Sequence, residues 1–238
     1  MSNDRPPARP PGPGDPSVGP PVVQILATEH WSLLATRSMT WSEIFSRTGT
    51  FLTVLSANTV ALTLIANASG FGDAFTALAL MLLPVVLLVG LATYVRLVEA
   101  DIEDAWLVIG MNRIRHAYLE LAPQLEPYFV AGHHDDAPGL LQTYSFRRRI
   151  GVTHWLSGSP VIVGVIDAVV AGVVVGVVGE SIDVGHGLRN VSSVLGGLLV
   201  AGGLAIVAQR HVREARRGYR ARFPASGAVD VGKLSGNS

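Results

Sequence analysis

The sequence predicts an all-α membrane protein with four transmembrane helices in two hairpins and a cytoplasmic helical insert between helices 2 and 3. Three observations lead there. Four charge-poor apolar runs, at 48–72, 74–95, 150–179 and 190–209, each supply the roughly 20 helical residues that a hydrocarbon core of about 30 Å requires. Hydrophobic residues make up 49% of the 238-residue chain and charged residues only 15%, too apolar for an ordinary soluble domain. Arginines flank the runs unequally, and that gives the runs a direction.

Residues 1–21 are rich in proline and glycine and contain no apolar segment. They read as a disordered leader, so the first run should act as an uncleaved signal anchor. Residues 22–47 set Ile25, Leu34, Trp41 and Phe45 among polar neighbours. This pattern predicts an amphipathic helix on the inner membrane surface, with Trp31 and Trp41 at headgroup level. The other reading is a helix that continues directly into the first span.

The first hairpin occupies 48–96, turning at Ser69-Gly70-Phe71-Gly72-Asp73. The insert follows at 97–149. There Val95, Val98, Ile102, Ala105 and Ile109 recur at steps of three and four, as do Leu107, Met111, Ile114, Tyr118, Leu121 and Leu125. Two such stripes describe a helix that packs on more than one neighbour, so span two should run on as a stalk. Glu99, Asp101, Glu103 and Asp104 are expected on its exposed side. Pro123 and Pro127 should end it, because proline lacks the amide donor and clashes with the preceding turn. The second hairpin spans 150–209, and a basic tail, disordered at its end, fills 210–238.

Seventeen of the 18 basic residues are arginine, and Lys233 is the lone lysine. Arg37 and Arg47 precede span one, and none lies in the turn after it. Arg96, Arg113, Arg115 and the triplet Arg147-Arg148-Arg149 lie between spans two and three. Only Arg189 lies between three and four. The tail adds Arg210, Arg213, Arg216, Arg217, Arg220 and Arg222. Positive charge stays on the cytoplasmic side, which puts both termini and the insert inside. The tail cluster should attract anionic lipid headgroups, at about 1 kcal/mol per arginine near the surface. A span directly before it favours lipid over nucleic acid as its partner.

Asp167 is the one carboxylate within a span. At the bilayer centre a charged aspartate costs at least about 2.5–3.5 kcal/mol, so it should face protein or water. Asn58 and Thr59 of span one lie at similar depth and are its expected partners, either in a proton or cation relay or as hydrogen-bonded glue between helices. Gly164, Ala168, Gly172 and Gly176 recur every fourth residue, matched by Ser193, Gly197, Ala201 and Ala205 in span four. Small residues at this spacing let helix backbones approach, so spans three and four should touch along these seams.

Gly132-His133-His134-Asp135-Asp136 groups four side chains of metal-ligating type, with His116 and Glu120 able to join if the loop folds back. Adjacent ligands in a flexible loop rarely aim at one ion, and a solvated loop without metal is expected. The chain has no cysteine, which excludes disulfides and thiolate chemistry. It carries no GxSxG, HExxH, phosphate-loop or dinucleotide signature, so neither catalysis nor a cofactor is expected.

The stretch Glu29-His30-Trp31-Ser32-Leu33-Leu34-Ala35-Thr36-Arg37-Ser38, the run Phe51-Leu52-Thr53-Val54-Leu55-Ser56, and Met111-Asn112-Arg113-Ile114-Arg115-His116-Ala117-Tyr118-Leu119-Glu120 with Glu126-Pro127-Tyr128-Phe129 are distinctive together. They resemble an uncharacterised group of small actinobacterial integral membrane proteins, over most of the chain after residue 22. The resemblance implies a plasma-membrane location and brings no activity or site residues. The expected role is a membrane scaffold, sensor or assembly component, with a homo-oligomer or another membrane protein as candidate partner. The alternative is a small oligomeric ion channel or proton-linked transporter that uses Asp167.

Overall fold

The computed structural model describes residues 20–145 and 159–225. The expectations for the leader up to residue 19, Arg147-Arg148-Arg149, the first residues of span three and the tail beyond 225 lie outside the described residues. Every regular element among those described is helical: α1 (Pro20–Ser69), α2 (Asp73–Leu121), a 3-10 segment (Pro123–Tyr128), α3 (Ala137–Ser145), α4 (Ser159–Ser181) and α5 (His186–Arg216). Helices α1, α2, α4 and α5 are each long and apolar enough to cross a membrane.

Helix α1 corrects one expectation. It is a single helix of 50 residues, about 75 Å long at 1.5 Å per residue, with no break between an interfacial segment and a span. The sequence has no proline between Pro21 and Ser69, and the lone Gly49 costs only about 1 kcal/mol in a helix. Nothing there stops propagation until Gly70, whose φ of 70° ends the helix with its amide donating to the Ala66 carbonyl at 2.9 Å. Helix α2 runs on past the apolar run as expected and stops at Leu121, two residues before Pro123 opens the 3-10 segment; Pro84 lies inside it.

The described residues divide into two compact units, residues 39–103 with 159–219, and residues 20–38 with 104–145 and 220–225. The first is apolar. Its core takes Ile44 and Phe51 from α1, Val86, Tyr94 and Leu97 from α2, Val163 and Val170 from α4, and Leu204 from α5. Lipid tails are as apolar as these side chains, so close packing rather than expulsion of water must hold such helices together in a bilayer.

Helices α4 and α5 show how the packing is achieved. A methyl group on Gly172 would lie 2.9 Å from the Ser193 carbonyl oxygen, and one on Gly197 would lie 2.8 Å from that of Ala168. Gly176 abuts the Ser193 hydroxyl. The expected seam therefore exists through Ala168, Gly172, Gly176, Ser193 and Gly197, but both its ends deviate. Gly164 receives the Tyr94 ring of α2 as well as Leu204 of α5. On α5 Ala201 is half-buried and Ala205 is exposed, while Leu204 is buried and Val200 and Ala208 pack on the core. At 3.6 residues per turn a strict every-fourth stripe rotates off the contact line by about 40° per step. Ala205 has turned away by then.

The second unit is polar, built from the start of α1, the end of α2, the 3-10 segment, α3 and residues 220–225. Asp136 caps α3, with its carboxylate accepting the Gly139 amide at 3.0 Å.

Candidate functional site

Within the apolar unit Asp167 is fully buried on α4. Its carboxylate lies against the α2 backbone at Gly90, occupying the space that a methyl group on residue 90 would fill. Among the described residues neither of its oxygens has a hydrogen-bond partner. The partners expected from sequence are not there: the Asn58 amide donates to the Val54 carbonyl at 2.8 Å, and the Thr59 hydroxyl to that of Leu55 at 2.8 Å. Both are satisfied within α1, because a short polar side chain in a helix reaches its own preceding turn before a neighbouring helix. Near the acid, Tyr94 of α2 donates to the Leu204 carbonyl of α5 at 3.1 Å. Sequence reading missed Gly90, which lies in a span with no second small residue at matching spacing to single it out.

Two arginines that flank the spans are neutralised. Glu43 accepts from Arg96 at 2.9 and 3.0 Å and from Arg47 at 2.7 Å, while Arg96 also reaches Glu103 at 2.8 Å. Hydrogen bonds from Arg96 and then Arg47 pull the Glu43 carboxyl down to about 2. Arg189, the basic residue that dissents from the charge pattern, crosses the face of Gly179 to pair with Glu180. A recess of about 240 Å³ lined by Phe71, Phe75, Thr76, Gly176, Val177 and Glu180 lies in the same unit. It is below the roughly 300 Å³ at which small-molecule pockets begin.

The polar unit centres on three buried side chains. Asp104, expected on the exposed side of α2, is only 2% exposed. It accepts two bonds from the Arg37 guanidinium of α1, at 2.7 and 3.3 Å, and one from the Tyr144 hydroxyl of α3 at 2.5 Å. Its partners lie 67 and 40 residues away, beyond what helical periodicity can register. Asn112 donates to the His134 carbonyl at 2.8 Å and accepts from Arg115 at 2.8 Å and Thr143 at 2.9 Å.

The third is Asp135, and it corrects the reading of the Gly132–Asp136 loop as solvated. Asp135 is 1% exposed and accepts from the Arg113 guanidinium at 2.9 Å and from the backbone amides of Arg222 and Phe223 at 2.9 and 2.8 Å. Asp136 takes the Ala225 amide at 2.8 Å, and the His134 ring meets the Phe223 carbonyl at 3.2 Å. The Phe223 ring stacks on His116, with centroids 4.2 Å apart. The loop is a clasp, and the tail is what it holds. Burial would raise the Asp135 carboxyl, but the two amides and Arg113 outweigh it and hold it below the ordinary range. His133 is pushed down by burial and by its neighbour His134, and His30 by burial and by Arg115.

The His116 ring stacks on His133 and lies tilted against His134, with centroids 6.2 and 6.1 Å away, so the loop does fold back. Both carboxylates are committed to the tail, and among the described residues no three ligating side chains converge on a point that could hold an ion. The tail arginines differ from those in the clasp. Arg210, Arg213 and Arg216 on α5 and Arg217, Arg220 and Arg222 after it are exposed, and among the described residues none of their guanidinium groups forms an ion pair. No protein-family model, curated protein or solved structure matches this chain.

Proposed function

We propose that this chain is a non-catalytic, four-pass protein of the plasma membrane. In this reading it acts as a scaffold, sensor or assembly component, holding the polar helical unit and the basic tail at the cytoplasmic face. Its spans form two hairpins, with the insert, both termini and the tail arginines inside. The observation that carries the reading is the tail: in the thirteen residues 210–222, at and just beyond the end of a helix able to span a bilayer, six guanidinium groups are exposed and have no ion-pair partner among the described residues. Such a cluster fits anionic headgroups by charge and by place. The test is the full chain in lipid nanodiscs with and without phosphatidylglycerol. Anionic lipid should be retained preferentially, less so at high salt, and replacing the six arginines with glutamine should remove the preference. Equal retention of anionic and zwitterionic lipid by the native chain would contradict it.

Asp167 favours a second reading, a small oligomeric channel or proton-linked transporter. A buried carboxyl with no hydrogen-bond partner among the described residues is costly to keep, and within membranes such groups mark ion and proton pathways. Liposomes holding the purified chain should then pass protons or cations, and Asp167→Asn should change that flux without changing expression. Liposomes that stay tight would end this reading.

A further inference from the structure

Helix α1 has an outer face unlike those of α2 and α4. Inside its apolar run Gly49, Thr53, Ser56, Val60, Thr63 and Asn67 are all exposed. They recur at steps of four, three, four, three and four, and Ser42 and Ser46 extend the same spacing toward the N-terminus. At about 100° per residue they fall in one sector some 80° wide, on the side away from the buried Ile44 and Phe51. From Gly49 to Asn67 the stripe covers about 27 Å, nearly the full hydrocarbon thickness.

The outward faces of α2 and α4 are what lipid would select. Helix α2 exposes Met81, Val85 and Leu88, and α4 exposes Ile162, Val165 and Val169. Hydroxyl and amide groups on α1 instead point where acyl chains would lie. Thr53, Thr63 and Asn67 each donate to the carbonyl four residues back, at 2.8, 2.8 and 2.9 Å. That leaves their oxygens, and one N–H of Asn67, unused. Polar groups in hydrocarbon gain from a partner helix, and small side chains let its backbone come close.

We infer that this stripe is the contact between two copies of the chain, packed α1 to α1 in a left-handed, parallel pair. Alternating steps of three and four are the spacing of a seam between helices crossing at about 20°. Two copies inserted the same way round are related by an axis along the membrane normal. Their α1 helices then run parallel and in register, setting Ser56 beside Ser56 and Thr63 beside Thr63. The stripe carries no charge, and it offers both the free acceptor oxygens of Thr53, Thr63 and Asn67 and the remaining N–H of Asn67. A threonine hydroxyl that turns from its own preceding turn adds a donor across the axis, so the surface can complement itself as a two-fold contact requires. A different protein would have to match these positions over five turns, whereas a second copy does so by symmetry. The inference rests on the insertion of α1 alone and on neither functional reading above.

The absence of cysteine makes a clean test. Single cysteines replace Ser56, Val60 or Thr63, and as controls the equally outward Leu88 of α2 and Val169 of α4, in the full chain in native membranes. Mild oxidation should give a disulfide-linked species of twice the chain mass from the three α1 positions and not from the controls. Ser56→Leu combined with Thr63→Leu should abolish that species in the Val60→Cys background while leaving the monomer folded, since both sites are exposed. Three outcomes would overturn the inference: no cross-link on α1, equal cross-linking at Leu88 and Val169, or a cross-linked mass that identifies a different protein.

Discussion

At Gly90 the absence of a side chain is what lets Asp167 occupy the space between α2 and α4. Gly90→Ala should destabilise the apolar unit by about 1–3 kcal/mol, because its methyl group and the carboxyl cannot share one volume. Asp167→Ala in the same chain should remove most of that penalty. Thermal unfolding of the two single variants and the double variant in detergent measures this coupling directly. The pairing was only half legible beforehand. An acid in a span stands out by its cost, whereas the position facing it depends on helix rotation, which one sequence does not reveal. Asp104 is a similar case: charge and periodicity placed it outside, but Arg37 and Tyr144 draw it in. The histidines of the polar unit give a pH dependence of defined sign. His133 and His30 are held below the 6.5 of a free imidazole, so the unfolded chain binds the extra protons as pH falls through that value. Their contribution is complete above about 6.5 and is lost as pH falls toward the lowered folded values. Asp135, held below 3.8, adds stability that is present above that value and is lost as pH falls through its folded value. Amide exchange of residues 130–145 should therefore speed up between pH 7.5 and 5.5, after correction for intrinsic exchange rates, and His133→Gln with His30→Gln should flatten the change.

Among the elements, those whose ends are set by local chemistry were readable, and those placed by long-range contacts were not. Pro123 ends α2 where backbone sterics require, and Gly70 ends α1. The unbroken length of α1 escaped because scattered polar residues in 22–47 imitate an interfacial helix, while nothing in the backbone interrupts the helix. The small-residue stripes did locate the contact between α4 and α5, though read as strict fourfold repeats they overran it by a turn. The difference can be measured. Gly197→Leu should separate the two helices and cost several kcal/mol, since a methyl group there would already press on the Ala168 carbonyl. Ala205→Leu, at an exposed position, should shift unfolding by less than about 0.5 kcal/mol. Unfolding of the two variants in one detergent compares them. The loop from Gly132 to Asp136 was the least legible element, because its partners are backbone amides of Arg222 to Ala225, which carry no side-chain signature.

For the whole molecule, composition and apolar run length made the class legible: helical, with four helices able to cross a membrane. The division into an apolar and a polar unit cuts across α1 and α2, so no change in composition along the chain marks it. The central claim is that the chain crosses the membrane four times with its insert and tail on the cytoplasmic side. Cysteine accessibility tests it most directly, because every introduced thiol is the only one present. Single cysteines at Phe71 and Ile182, both strongly exposed between spans, should react with a membrane-impermeant maleimide on intact cells. Cysteines at Leu125 of the 3-10 segment and Pro224 of the tail should react only after the membrane is permeabilised. Labelling of Leu125 or Pro224 on intact cells, or protection of Phe71 and Ile182, would contradict the account.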